Sequence, residues 1–220
     1  MKVRLVSPTP GANLLDKIAM MARVSNPNNQ ENNRTAEKLV RYLIKHKHWS
    51  PFEMANIVLE INTTRDIARQ ILRHRSFSFQ EFSQRYAEAN TYEIREARMQ
   101  DPKNRQNSIE LDRRNMEDVR LGEKFNMAQH KVIQLTREVY ECALENGIAK
   151  EQARAVLPEG MTGTTLYMAG TLRSWIHYCR LRMANGTQLE HAEIAKKCWD
   201  IIGGHFPSVR EAVDALDVID

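Results

Sequence analysis

The chain has 220 residues, 42% of them hydrophobic, with 32 lysines and arginines against 28 acidic residues and a formal charge of +4. That length allows a sizeable buried core, and so small a positive surplus does not require nucleic acid as a partner. The three cysteines, Cys142, Cys179 and Cys198, have neither CxxC nor metal-type spacing, no apolar run reaches membrane-spanning length, and the N-terminus lacks a signal-peptide core, so a reduced, cytoplasmic protein is expected.

Lys2 to Val6 alternates polar and apolar residues and predicts a strand, closed by Ser7-Pro8-Thr9-Pro10-Gly11. Leu14, Leu15, Ile18, Met21 and Ala22 follow helical spacing, with Asn13 a candidate N-cap. The Asn-rich stretch from Ser25 to Asn33 reads as loop. A second helix, Thr35 to Lys45, carries Leu39, Tyr42 and Leu43 on one face and ends before Pro51. Asn56 to Thr63 is rich in β-branched residues and predicts a strand. Thr63 is then the candidate cap of a helix with Ile67, Ala68, Ile71 and Leu72 on its apolar face. Arg65, Arg69 and Arg73 share another face of that helix, either as a solvated ridge or as a row whose repulsion an anion relieves.

Asp101 to Asn107 is polar and reads as a flexible loop. A long helix is predicted from Ser108 to Glu145, with Val132, Leu135, Val139 and Ala143 as its later apolar stripe and Asn146-Gly147 as its stop. A short helix from Lys150 to Val156 and a turn from Gly160 to Gly163 follow. The next helix, Leu172 to Met183, turns Leu172, Trp175, Ile176, Cys179 and Met183 inward, and further helices cover Leu189 to Ile202 and Ser208 to Leu216. The fold class is α+β: a small sheet surrounded by several helices, one of them long, in a single domain over residues 1–220. All three cysteines fall on amphipathic helices and are expected to pack.

The chemistry is concentrated in Arg73-His74-Arg75-Ser76-Phe77-Ser78-Phe79-Gln80-Glu81-Phe82-Ser83-Gln84-Arg85-Tyr86. Arginine offers a permanent charge and a planar fork of donors that suits phosphate and conjugated carbonyls, and serines add short neutral donors. Phe77, Phe79 and Phe82 are candidate anchors, and their alternation equally suits a half-buried strand. No GxGxxG and no P-loop is present.

This segment resembles the signature RHRxxSxxxxSxR of the flavin-dependent thymidylate synthases, matched at Arg73, His74, Arg75, Ser78, Ser83 and Arg85. Further blocks resemble the same family: Ala22-Arg23-Val24-Ser25, His48-Trp49-Ser50-Pro51-Phe52-Glu53, Ala153-Arg154-Ala155-Val156-Leu157-Pro158, and Leu172-Arg173-Ser174 leading to Leu181-Arg182. The resemblance implies reductive methylation of dUMP to dTMP, with FAD, NADPH and 5,10-methylenetetrahydrofolate, in a homotetramer whose sites lie between subunits. It implies FAD contacts from Ser50, Arg73, His74, Arg75, Glu81, Thr171, Leu172, Arg173 and His177, with His48 and Glu53 nearby from a neighbouring subunit. It implies dUMP contacts from Gln70, Ile71, Leu72, Arg73, Glu81, Phe82, Ser83, Gln84, Arg85 and Arg154. Arg182 is the implied catalytic residue, contacting the uracil ring and promoting its ionisation.

Each assignment has a plainer counterpart. His74 also suits a core or capping histidine, Arg154 a surface arginine at a helix end, and Arg182 an arginine that snorkels from the margin of the apolar stripe. Thr171 and His177 stand where the family commonly has asparagines, and Met54 where some members have a histidine. No metal is expected, since His46 and His48 lack further placed ligands. A nucleic-acid-binding module built on the arginine helix and a flavoprotein that has lost methylation are the rival readings.

Overall fold

The computed structural model describes residues 1–10 and 13–216; Gly11, the end of the expected first turn, lies outside them. The sheet is antiparallel throughout, in the order β1-β2-β6-β3: β1 is Lys2–Pro8, β2 Asn56–Thr64, β3 Ser78–Glu81 and β6 Gly163–Thr171. A hairpin, β4 (Arg98–Gln100) with β5 (Ser108–Glu110), stands apart from it. The helices are α1 (Leu14–Ala22), α2 (Ala36–Lys45), α3 (Arg65–Ile71), α4 (Met116–Glu145), α5 (Lys150–Ala153), α6 (Leu172–Met183), α7 (Leu189–His205) and α8 (Pro207–Asp214).

Ile57, Leu59 and Ile61 of β2 alternate into the core and face Gly170, Met168 and Leu166 of β6, their register partners. Onto that face pack Trp175, Ile176 and Cys179 of α6 and Ile194, Cys198 and Trp199 of α7 in one cluster. Trp175 also donates its indole N–H to the Ile57 carbonyl at 3.1 Å, which fixes α6 against the sheet. β6, like β4 and β5, is a strand that the sequence pattern does not predict. Its two glycines weaken the β pattern, but Gly170 is there for a steric reason, since a Cβ would lie 2.3 Å from the ring of Phe77. Phe77 therefore packs close against the strand, buried beside Trp175 at a ring distance of 4.9 Å.

Other expectations shift. Asn13 occupies the N-cap position of α1 in a left-handed conformation and makes no side-chain cap. Tyr42 is exposed, because α2 buries Ala36, Val40, Leu43 and Ile44 instead. Thr64, not Thr63, precedes α3; its hydroxyl donates to Asp66 at 2.5 Å. Residues 101–107 are a hairpin turn rather than a loose loop. Asp101 organises them, accepting from the amides of Lys103 and Asn104 and from the Asn107 side chain. The expected long helix gives up its first turns to β5 and starts at Met116, capped by Asn115. Val132, Leu135 and Val139 lie exposed on it, while Gln129, Ile133, Thr136 and Tyr140 face the protein. Cys179 and Cys198 are buried as expected; Cys142 is exposed.

Candidate active site

The signature lies where α3 gives way to β3. The chain leaves α3 after Ile71 and closes two tight turns, His74 N–H to the Ile71 carbonyl at 3.1 Å and Phe77 N–H to the His74 carbonyl at 3.3 Å. These turns send Arg73 and Arg75 outward and His74 inward.

His74 accepts a hydrogen bond from Arg182 Nε at 2.9 Å, and the edge of its ring meets Tyr178 at 4.8 Å. A guanidinium only donates, so His74 Nε2 must hold its lone pair here and the ring is neutral. Burial above all, helped by the Arg182 charge, lowers its pKa to about 4. Arg182 is thus neither free on the surface nor paired with a carboxylate at this contact. One N–H is committed to a neutral histidine, and among the described residues no hydrogen bond engages the four Nη protons, which can serve a ligand.

The arginine row is neither a solvated ridge nor an empty anion site. Arg65 is buried and lies 3.5 Å from Glu81 and 3.6 Å from Glu159; Arg69 lies 3.9 Å and 3.5 Å from the same two carboxylates. Thr164 adds a hydroxyl bond to Glu81 at 3.1 Å. The chain thus supplies its own anions to the first two arginines. Arg73, past the end of α3, and Arg75 are exposed, and among the described residues no carboxylate pairs with either.

Two more groups of the expected residues lie together. Arg85 Nε lies 3.2 Å from the Glu151 carboxylate, and Arg154 Nε donates to the Glu151 main-chain carbonyl at 3.3 Å, so both arginines contact Glu151, one at its side chain and one at its backbone. Ser83 Oγ accepts from the Arg85 amide at 3.4 Å. Buried Gln84 presents a side-chain Nε2 without a hydrogen-bond partner, an orphan that a ligand acceptor or a water would satisfy. At the other end, Glu53 joins α6: it accepts from Arg173 at 2.7 Å and from the Thr171 hydroxyl at 2.9 Å. The Thr171 bond, with Arg173 and His177 adding, holds the Glu53 carboxyl below its usual range. Thr171 also caps α6 through the Ser174 amide, and His177 meets Trp49 edge-on at 4.9 Å. This joining of the His48–Glu53 block to Arg173 takes place within one chain.

Not every expected residue presents a side chain. Ile71 and Leu172 are fully buried in the core, and the Leu172 amide already donates to the Ala55 carbonyl at 2.7 Å. Leu72 and Phe82 are half-buried and Ser50 is exposed. Arg23 of the Ala22–Ser25 block is a buried latch, binding the Asn32 carbonyl and the Thr35 hydroxyl across the Asn-rich segment. The sequence gives no notice of a polar chain behind the site, Tyr178–His191–Gln70–Gln188–Glu190–Arg95. Its one visible sign is the Gln188-x-Glu190-His191 run at the start of α7.

Comparison with known proteins places the whole chain in a family. The family model for thymidylate synthase complementing protein matches residues 4–208. A probable flavin-dependent thymidylate synthase of Paramecium bursaria Chlorella virus 1 is 50% identical over 220 residues, covering 97% of this chain and 99% of that protein. The flavin-dependent thymidylate synthase of a Synechocystis species is 49% identical over 222 residues, covering 97% and 100%. The crystal structure of a UMP/dUMP methylase, PolB from Streptomyces cacaoi bound with 5-Br dUMP, superposes with a TM-score of 0.81 at 26% identity, covering 97% of this chain and 94% of that one. With matches of this extent, the chain belongs to the flavin-dependent thymidylate synthase family, the thymidylate synthase complementing proteins.

Proposed function

We propose that the protein converts dUMP to dTMP by reductive methylation, as a flavin-dependent thymidylate synthase of the cytoplasm. The observation that carries this reading is the Arg182–His74 contact, which joins the signature to the far helix α6. Arg182 is the catalytic residue. Its charge, held by a neutral histidine rather than cancelled by a carboxylate, stabilises negative charge developing on a ring carbonyl of the pyrimidine. Ser83, Arg85 and Arg154 hold the dUMP phosphate in place of part of the Glu151 contact, and Gln70, Arg73, Glu81 and Gln84 complete the substrate side.

The residues present suit FAD. Arg73 and Arg75 offer exposed charges to its diphosphate, and neutral His74 and the Ser50, Thr171, Arg173 and His177 group offer donors of the kind its rings accept. When bound, FAD supplies the redox chemistry, with NADPH as reductant and 5,10-methylenetetrahydrofolate as the one-carbon source. The chain places and charges; it offers no nucleophile in the core thiols, since burial pushes Cys179 and Cys198 well above the usual thiol range.

The sites belong to a homotetramer in this reading. Leu121, Phe125, Ala128, Val132, Leu135 and Val139 repeat at alternating four- and three-residue steps along α4, and all are exposed in the single chain. Such a seam suits a second copy of a helix. The nucleic-acid reading loses its main support, because Glu81 and Glu159 neutralise the arginine helix.

The visible spectrum of the purified protein, before and after dUMP, tests the proposal. Flavin bands that shift on adding dUMP are expected. A protein that stays colourless after incubation with FAD and ignores dUMP would overturn it.

A further inference from the structure

His191 lies in the first turn of α7 and is fully buried. Its Nδ1 is 3.3 Å from Gln70 Oε1 on α3, and its Nε2 is 3.1 Å from the Tyr178 hydroxyl on α6. The direction of every bond follows from the acidic end of the chain. Glu190, 2.9 Å from Arg95, can only accept, so Gln188 Nε2 donates to it at 2.9 Å. Gln188 Oε1 then accepts from Gln70 Nε2 at 2.7 Å, which turns the Gln70 carbonyl toward His191. His191 Nδ1 must therefore carry the proton, and its Nε2 accepts the Tyr178 hydroxyl. No donor in the chain is left to choose its partner.

A buried histidine with both nitrogens satisfied is often no more than a core device. This one differs in what it holds. Gln70 sits at the open end of α3, beside Arg73 and half-exposed, where a free glutamine would sample several rotamers. We propose that His191 is a positioning residue for the pyrimidine nucleotide, fixing the Gln70 amide in one orientation before the substrate arrives. The proposal rests on the reading that Gln70 belongs to the dUMP site. An amide held at both ends has little rotamer freedom left to lose on binding, so the effect falls on substrate affinity rather than on the chemical step.

Three full-length proteins test this: the wild type, His191→Leu and His191→Asn. Leucine fills the site but removes both bonds; asparagine keeps an N–H near the place of Nδ1 and packs less well. His191→Leu is expected to raise KM for dUMP about tenfold with kcat within about threefold of wild type. His191→Asn is expected to restore KM to within about threefold of wild type, although its melting temperature falls. A wild-type KM in His191→Leu, or an equal rise in both variants, overturns the proposal, since the second pattern is what a purely structural histidine gives. If the wild type makes no dTMP, the assigned reaction falls instead. Calorimetric affinity for dUMP in the same three proteins then decides the His191 proposal by the same pattern, and absence of dUMP binding to the wild type overturns it too.

Discussion

Arg182 donates to His74 across the 108 residues that separate them, and the chemistry of the pair follows from which partner is charged. A carboxylate in place of His74 would cancel the guanidinium; a neutral imidazole orients it and leaves its charge available to a substrate. Arg182→Ala is expected to lower kcat by about 100- to 1000-fold while the fold persists, as removal of a donor aimed at developing charge does. Arg182→Lys should recover little, because an ammonium cannot reach both His74 and a ring carbonyl as a planar fork does. Circular dichroism with dTMP assays checks both. An Arg182→Ala protein with near wild-type kcat would remove Arg182 from the reaction. At this scale the sequence is informative where charge is concentrated: the signature named Arg73, His74, Arg75 and Arg85. It is silent on His191, because a lone histidine on an amphipathic helix gives no hint that Gln70 and Tyr178 flank it.

Among the elements, α6 reads from the sequence with the bounds it has, since its apolar spacing is regular and Thr171 caps it. β6 does not read at all, although it is the centre of the sheet that positions the site. Glycine at both 163 and 170 interrupts the ends of a strand that otherwise holds Thr164, Thr165 and Tyr167, and the tertiary neighbours, Thr91 and Phe77, explain the missing side chains. Gly170→Ala should therefore cost about 1–3 kcal/mol through the clash with Phe77, and Phe77→Leu in the same chain should recover part of it. Denaturant unfolding of the two variants checks this. Additive losses would mean that the close approach is not what fixes glycine there. The hairpin turn at 101–107 escaped for the opposite reason: its polar residues satisfy one another, so polarity there marks internal order rather than looseness.

For the whole molecule, two neutral histidines, His74 half-buried and His191 buried, link stability to pH. His74 and His191 have pKa values lowered to about 4 and about 3, the first cause in each being burial. Below about 6.5 the unfolded chain takes up protons that the folded chain refuses, so stability falls with pH from about 6.5 toward the folded values. Acid titration of the melting temperature should show this loss, and His191→Leu should make it shallower; an unchanged slope in that variant would contradict the linkage. The α4 seam predicts a second property of the whole. Leu135→Glu places a charge in the middle of it and should shift the sedimenting species from the proposed tetramer toward smaller forms. The same species as wild type would locate the interface elsewhere.

The most direct test of the proposed activity is dTMP formation by the purified protein supplied with FAD, dUMP, 5,10-methylenetetrahydrofolate and NADPH, with each component omitted in turn. Formation of dTMP is expected to require all four and to be lost in Arg182→Ala. Formation of dTMP without flavin, or NADPH oxidation by the flavin-loaded protein with no dTMP at all, would contradict that activity.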